Sequence, residues 1–372
     1  MQVSQTEIFA IKPETQNPLK TSLVSRIFFI WMRVLCILPL ASTNIGSIWL
    51  NRLYSTCIAS SAVAAIVLFT KYMLSANEIS SIITQVIANM AVFILISNSS
   101  IFHIKTSIAL KNFLKYFIQE CKTKVPFPTE QFIFHIAFAM YAFVDLTIWS
   151  SKFKFFYFSV ITILSRYFLV FGILCSGHIA LIFRNRFKQI NETVKNMRLK
   201  LYPGEKDLLR DLLVVRKDYQ QVLQYINNYN TIFGYFFIFC HLFVLLQVVN
   251  DIHTMITKII TANYDLLTFT GRILPPSLTF VAIVFSIMCC DVTSKEGKEL
   301  TKICYHLFDE CVSHRKHSEV PQLLLQFIEY CTNFPPTFTA ADFYEIERTT
   351  ILEILGIALT YLIVVVQFDG IA

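Results

Sequence analysis

Residues 349–368 read TTILEILGIALTYLIVVVQF, an almost wholly apolar stretch with one acid, Glu353, near its start. Helical residues rise ~1.5 Å each, so this stretch reaches roughly 30 Å, the hydrocarbon thickness of a bilayer. It is therefore expected to cross a membrane, as a terminal span with only a short tail beyond Phe368. Its polar residues are not scattered. At about 100° per residue, Glu353, Ile357, Thr360, Val364, Gln367 and Ile371 share one narrow sector, and the opposite face is Leu, Ile and Val. A polar stripe on a membrane helix faces protein or water, because lipid leaves its groups unpaired. The pattern leaves two readings open, a buried seam between helices and the wall of a pore.

The rest of the chain has the same character. Its 372 residues are 55% hydrophobic, 15% aromatic and 15% charged, with mean hydropathy +0.56. Soluble domains carry about 25% charged residues, so this composition belongs to a multi-span membrane protein. Residues 1–22 are polar and lack an apolar core, so no secretory signal peptide is expected and the first span serves as its own insertion signal. Residues 23–41 are apolar but carry Arg26 and Arg33 on one helical face. They are expected to lie at the inner surface as an amphipathic helix. A full span there is the alternative, and it would reverse the topology of everything after it.

Spans are expected at residues 53–74, 79–101, 131–151, 155–183, 232–256, 273–290 (opening with Pro275-Pro276) and 349–368. Between them, residues 184–230 place Leu208, Leu209, Leu212, Leu213, Val215, Tyr219, Val222, Leu223 and Ile226 at helical spacing. This predicts a long helix or helix pair continuing out of the membrane, broken near Pro203-Gly204. Residues 291–337 read as helical with breaks at Pro321 and Pro335-Pro336, and residues 338–348 as a short helix before the last span. Segments 1–52, 102–130, 184–230 and 291–337 hold 25 of the 32 lysines and arginines. The positive-inside rule puts them in the cytoplasm, the N-terminus inside and the C-terminus outside. That is the reverse of a G-protein-coupled receptor.

Within the last span, Thr360-Tyr361, five apolar residues and Gln367-Phe368 spell T-Y-(five apolar)-Q-F. This resembles the C-terminal signature of insect gustatory receptors, and all four fixed positions match. That family has the inverted seven-span topology which the charge count reaches independently. The resemblance implies an all-α, seven-transmembrane chemoreceptor fold with intracellular N-terminus and extracellular C-terminus. It also implies a tetrameric, ligand-gated, nonselective cation channel in which the seventh helix lines a central pore. Cytoplasmic helices would form most subunit contacts, and ligand would enter from outside into a pocket among spans two to six. Mapped here, residues 1–52 are tail and amphipathic helix, and 53–290 hold spans one to six, the pocket and the cytoplasmic segment 184–230. Residues 291–348 are the anchor region, and 349–372 are the pore helix and short outer tail.

On that mapping Gln367 forms a ring of amides near the outer mouth, and Phe368 or Val364 forms the apolar constriction. Thr360 and Tyr361 lie below them on the same helix. Asp369 places carboxylates at the outer entrance and Glu353 does so at the inner end. An interhelical hydrogen bond within one subunit is the other role open to Gln367, and a solvated tail position the other for Asp369. Outer-half candidates for ligand contact are Asn89 in span two, Tyr141, Asp145 and Trp149 in span three, and Gln247 and Asn250 in span five; each is equally open to a packing role. Arg166 lies mid-span and needs a partner, for which Asp145 is the candidate.

The implied partners are a small non-volatile tastant, of bitter or other type, membrane lipid, and further receptor subunits as a homotetramer or heteromer. The implied location is the plasma membrane of a sensory neuron. A metabotropic seven-span receptor and a secondary transporter are the alternatives. The charge distribution opposes the first, and the lack of an internal repeat opposes the second. The cysteines fall in spans or on the inner side, so no structural disulfide is expected. Cys311, His314 and His317 drift around a helix and make a poor metal set. The sequons at Asn98 and Asn191 fall on the inner side and are expected to stay unmodified. No phosphate loop, nucleophile elbow or metalloprotease helix is present, so no enzyme activity, cofactor or nucleic-acid partner is expected.

Overall fold

A computed structural model describes residues 129–150, 153–197, 205–260, 266–314 and 319–368, together with 60, 86 and 87. The expected tail and amphipathic helix, and all of spans one and two but those three residues, lie outside the described residues. The elements are α1 (Thr129–Ser150), α2 (Phe153–Met197), α3 (Glu205–Ile260), α4 (Leu266–His314), α5 (Val320–Asn333) and α6 (Arg348–Phe368). All are helical, and the one β-bridge among the described residues joins Thr339 and Glu345.

Three helices are much longer than a bilayer is thick. The 45, 56 and 49 residues of α2, α3 and α4 amount to about 68, 84 and 74 Å at 1.5 Å each. Within them, Arg166–Met197, Asp207–Ile252 and Pro276–Ser313 are long and apolar enough to cross a membrane. Proline is absent from α2 and α3, so nothing in either interrupts the backbone ladder. The segment at 184–230 is thus the end of α2 and the beginning of α3, and α4 continues in the same way past Cys290. Of the predicted stripe on α3, Leu208, Leu212, Val215, Tyr219, Val222 and Ile226 are buried, Leu209 and Leu223 are half-buried, and Leu213 is exposed.

Two boundaries differ from the sequence expectation. Helix α4 starts at Leu266, ahead of Pro275-Pro276 rather than at them. The pair lies inside the helix, where each proline removes one backbone bond, a loss that membrane helices tolerate when neighbouring groups satisfy the freed carbonyls. Residues 338–347 form no helix, and Arg348 already belongs to α6. They fold into a small hairpin, described below, because packing against α3 overrides their local helical spacing.

Helices α2 and α4 pack closely where their residues are small. A Cβ on Gly177 would stand 3.1 Å from the Ser286 Cα. Ser176 Oγ and Ser286 Oγ lie 3.1 Å apart in a hydrogen bond, and Thr293 Oγ1 donates to the Ala180 carbonyl at 2.9 Å. Small residues of this kind are how membrane helices gain contact without a hydrophobic driving force. Beyond the span, Asn191 is buried, and its amide donates to the Glu296 carbonyl at 3.0 Å. A buried, engaged asparagine is closed to glycosylation.

Helix α5 begins with Pro321 in its first turn, where the missing N–H costs nothing. It buries Val320, Leu324, Phe327, Ile328 and Cys331, an i, i+4, i+7 stripe. Tyr219 of α3 meets this face edge-on at Phe327, with centroids 5.9 Å apart. Burial raises the Tyr219 hydroxyl well above its usual range, so it remains a donor, here to the Phe334 carbonyl at 3.1 Å. Burial likewise pushes the neighbouring Cys331 thiol up to about 12, which leaves it a packing group rather than a nucleophile.

Candidate pore helix and its seat

Residues 334–347 carry the chain from α5 to α6. The Ile346 N–H donates to the Phe338 carbonyl at 2.7 Å, Ala340 N–H to Tyr344 O at 3.0 Å, and Phe343 N–H to Ala340 O at 3.0 Å. The two central residues, Ala341 and Asp342, have φ of 49° and 61°. This is the twist of a type I′ hairpin, usually supplied by Asn-Gly. Left-handed backbone costs about 1–2 kcal/mol per non-glycine residue, so the hairpin must be held from outside.

Helix α3 holds it. The Asn230 amide reaches both backbone directions: Nδ2 donates to Thr337 O at 2.9 Å, and Oδ1 accepts from Thr339 N–H at 3.1 Å. One turn further, Gly234 lets the turn lie against the helix backbone, for a Cβ there would stand 2.4 Å from the Ala341 nitrogen. Phe338 is buried edge-on against Tyr229, at 90° and 5.2 Å between centroids. The Tyr344 hydroxyl bonds His241 Nδ1 on α3, and burial raises that hydroxyl above its ordinary range. On the other side Pro336 fills the space that a side chain at Gly297 would need, 2.4 Å from such a Cβ.

The hairpin runs directly into α6. The Thr350 hydroxyl donates to Glu345 O at 3.1 Å and accepts from Glu347 N–H at 3.3 Å, so the first turn of α6 is stitched to the hairpin. Above it, Ile351 and Ile354 are half-buried and Ala358 is buried, where α6 packs on α3 and more lightly on α4. Glu353, Ile357, Thr360, Val364 and Gln367 are all exposed. The polar stripe therefore lies roughly 130° around the helix from the buried face, at 100° per residue. Among the described residues, the stripe faces away from the seam that α6 makes with α3 and α4. The Thr360 hydroxyl donates to the Gly356 carbonyl at 2.8 Å. Tyr361 is exposed beside the stripe rather than on it, and Leu352, Leu359 and Ile363 leave a separate apolar face uncovered. The Phe368 side chain and Asp369 lie outside the described residues.

The ligand candidates are placed as follows. Tyr141 is buried and accepts from Arg166 Nη1 at 2.9 Å, a partner for Arg166 among the described residues. Asn89 and the side chains of Asp145 and Trp149 lie outside the described residues. Beside this pair, the Tyr167 hydroxyl and His135 Nδ1 are 3.2 Å apart. On α3, Gln247 is buried and donates to Asp251 Oδ2 at 2.7 Å, and Asn250 is half-buried. Sequence reasoning passed over Asp251, although its i, i+4 relation to Gln247 was readable. It also passed over Asn230 and Gly234, whose roles depend on a loop more than 100 residues away. Among the described residues no three His, Cys, Asp or Glu side chains group as a metal site.

The fold is similar to that of the insect olfactory receptor OR5 from Machilis hrabei, with TM-score 0.61 and 12% identity over 93% of this chain and 99% of that one. The same receptor in complex with eugenol gives TM-score 0.63 and 13% identity, over 93% and 97% of the two chains. No curated protein matches the sequence. The profile of the 7tm chemosensory receptor family matches residues 131–370, from the start of α1 past the end of α6. With the profile covering well over half of the sequence, the chain belongs to the 7tm chemosensory receptor family.

Proposed function

We propose that the chain is a gustatory receptor: a ligand-gated, nonselective cation channel of the plasma membrane, opened by a small non-volatile tastant. Four copies place α6 around a central axis, with the N-terminus inside and the C-terminus outside. The observation that carries this reading is the exposed polar stripe of α6, turned away from the helices that seat it. A single striped helix cannot enclose water. Several around an axis can, and the stripe then lines the path. The apolar face at Leu352, Leu359 and Ile363 is left for neighbouring subunits or lipid. A small molecule held by a receptor of the same fold supports a small-molecule ligand for this one, in the outer half near Tyr141 and Gln247. The T-Y…Q-F ending favours taste over smell, and bitter compounds are the first class to try.

Whole-cell recording from cells expressing the chain, alone and with other receptor subunits, tests the reading. A ligand-evoked cation current is expected. Gln367→Ala removes one neutral amide ligand per subunit, a contact worth about 0.5–1.5 kcal/mol. Relative cation permeability is then expected to change about twofold to tenfold. A current carried by second messengers, abolished by blocking G proteins and indifferent to Gln367, would instead support a metabotropic receptor.

A further inference from the structure

The root of α6 is also tied by charge. Asp291 of α4 is only 4% exposed. Its Oδ2 accepts from Arg348 Nε at 2.7 Å and from Lys295 Nζ at 2.8 Å. Among the described residues, the Arg348 contact is the one ion pair that joins α6 to the rest of the protein.

One carboxylate needs one cation, and here it has two. Lys295 is carried one turn along the same helix as Asp291, so it stays whatever α6 does. Removing the sole partner of a buried charge is strongly destabilising. Arg348 can leave without that penalty, because Lys295 remains. The Arg348 side chain is also 52% exposed, so water receives the guanidinium as it withdraws. Nor does Arg348 help α6 to form, since a cation in the first turn opposes the helix dipole. The other contacts at the root, through Asn230, Gly234 and Phe338, are uncharged and fix the hairpin. That leaves the hairpin as a fixed pivot and the charge pair as the contact that can let go.

We propose that Asp291 and Arg348 form a releasable latch that holds α6 in its resting position, with Lys295 remaining as the counter-ion of the carboxylate while the latch is open. Its effect on current rests on the pore reading of α6; the latch itself does not. The test is hydrogen exchange on full-length Arg348→Gln in lipid nanodiscs, paired with resting cation current in cells. Exchange is expected to rise about three- to fivefold in residues 348–356 alone, the worth of one half-exposed ion pair. Resting current without ligand should rise by a similar factor. Adding Lys295→Gln to Arg348→Gln should sharply cut the yield of folded protein, whereas either change alone should not.

Exchange raised equally in α4 and α6, unchanged exchange in 348–356, or a failure of Arg348→Gln alone to fold would each overturn the latch. So would an unchanged resting current in cells that do show a ligand-evoked one. Local exchange at 348–356 in a protein that conducts under no condition would support the latch and count against the pore reading.

Discussion

Gly234→Ala is expected to unseat the hairpin that leads into α6. The added Cβ would lie 2.4 Å from the nitrogen and 2.8 Å from the Cα of Ala341. Both are backbone atoms, so no side chain can swing away to make room. The hairpin is pinned from the other side by the Asn230 amide and by Phe338, and cannot slide. Overpacking of this kind costs about 1–3 kcal/mol, and the strained turn at Ala341 and Asp342 leaves little reserve against it. The melting temperature of the purified protein should fall by several degrees, and the surface-expressed receptor should lose most of its ligand-evoked response. Gly356→Ala is the matched control. No described atom lies within 4 Å of its Cβ, and alanine is the better helix former by about 1 kcal/mol, so stability should hold or rise. Equal effects at the two glycines would mean that the close approach at Gly234 is not what the glycine serves.

Phe338→Ala should have the largest effect on stability of any single change in the hairpin. Its ring is buried among Tyr229 and Phe183, edge-on to the first at 5.2 Å and tilted to the second at 6.4 Å. Emptying such a site costs about 3–5 kcal/mol, to which the aromatic geometry adds ~1 kcal/mol. Detergent-solubilised protein is expected to lose its monodisperse chromatographic peak, or to melt far below the parent. Phe343, five residues on, is 75% exposed, and Phe343→Ala should leave the melting temperature of the isolated protomer almost unchanged. A mild effect at Phe338 would show that the hairpin is held by its hydrogen bonds and that the ring is dispensable.

The sequence reveals some of this architecture and conceals the rest for physical reasons. The periodicity of residues 349–368 is legible because a membrane helix sorts polar from apolar groups along its own axis. The stripe positions are exposed on α6, as is the apolar face at Leu352, Leu359 and Ile363. The stripe from Leu208 to Ile226 is legible for the same reason, although Leu213 on its margin is exposed. Its fusion with the fifth span into one helix follows from the absence of any breaker between Glu205 and Ile260. The hairpin is not legible. Nothing local marks Ala341-Asp342 as a left-handed turn, and its stability comes from Asn230 and Gly234 on another helix. The same holds for Asp291 and Arg348, which lie 57 positions apart and meet only through the packing of α4 against α6. Arg166 shows the same from the other side. Its need for a partner was evident from its depth, and among the described residues the hydroxyl of Tyr141 accepts from it; the Asp145 side chain lies outside them.

The measurement that bears most directly on the central claim is thiol labelling of single cysteines placed along α6 in intact cells, using a membrane-impermeant reagent with and without ligand. The seven native cysteines among the described residues are buried, which keeps the background low. Labelling needs water, because a thiolate does not form in lipid or in a packed seam. The account predicts reaction at Gln367→Cys, Val364→Cys, Thr360→Cys and Ile357→Cys, the deeper positions only when ligand is present, and none at Ile354→Cys or Ala358→Cys. Labelling confined to the Leu352, Leu359 and Ile363 face, or absent from the stripe under every condition, would contradict it.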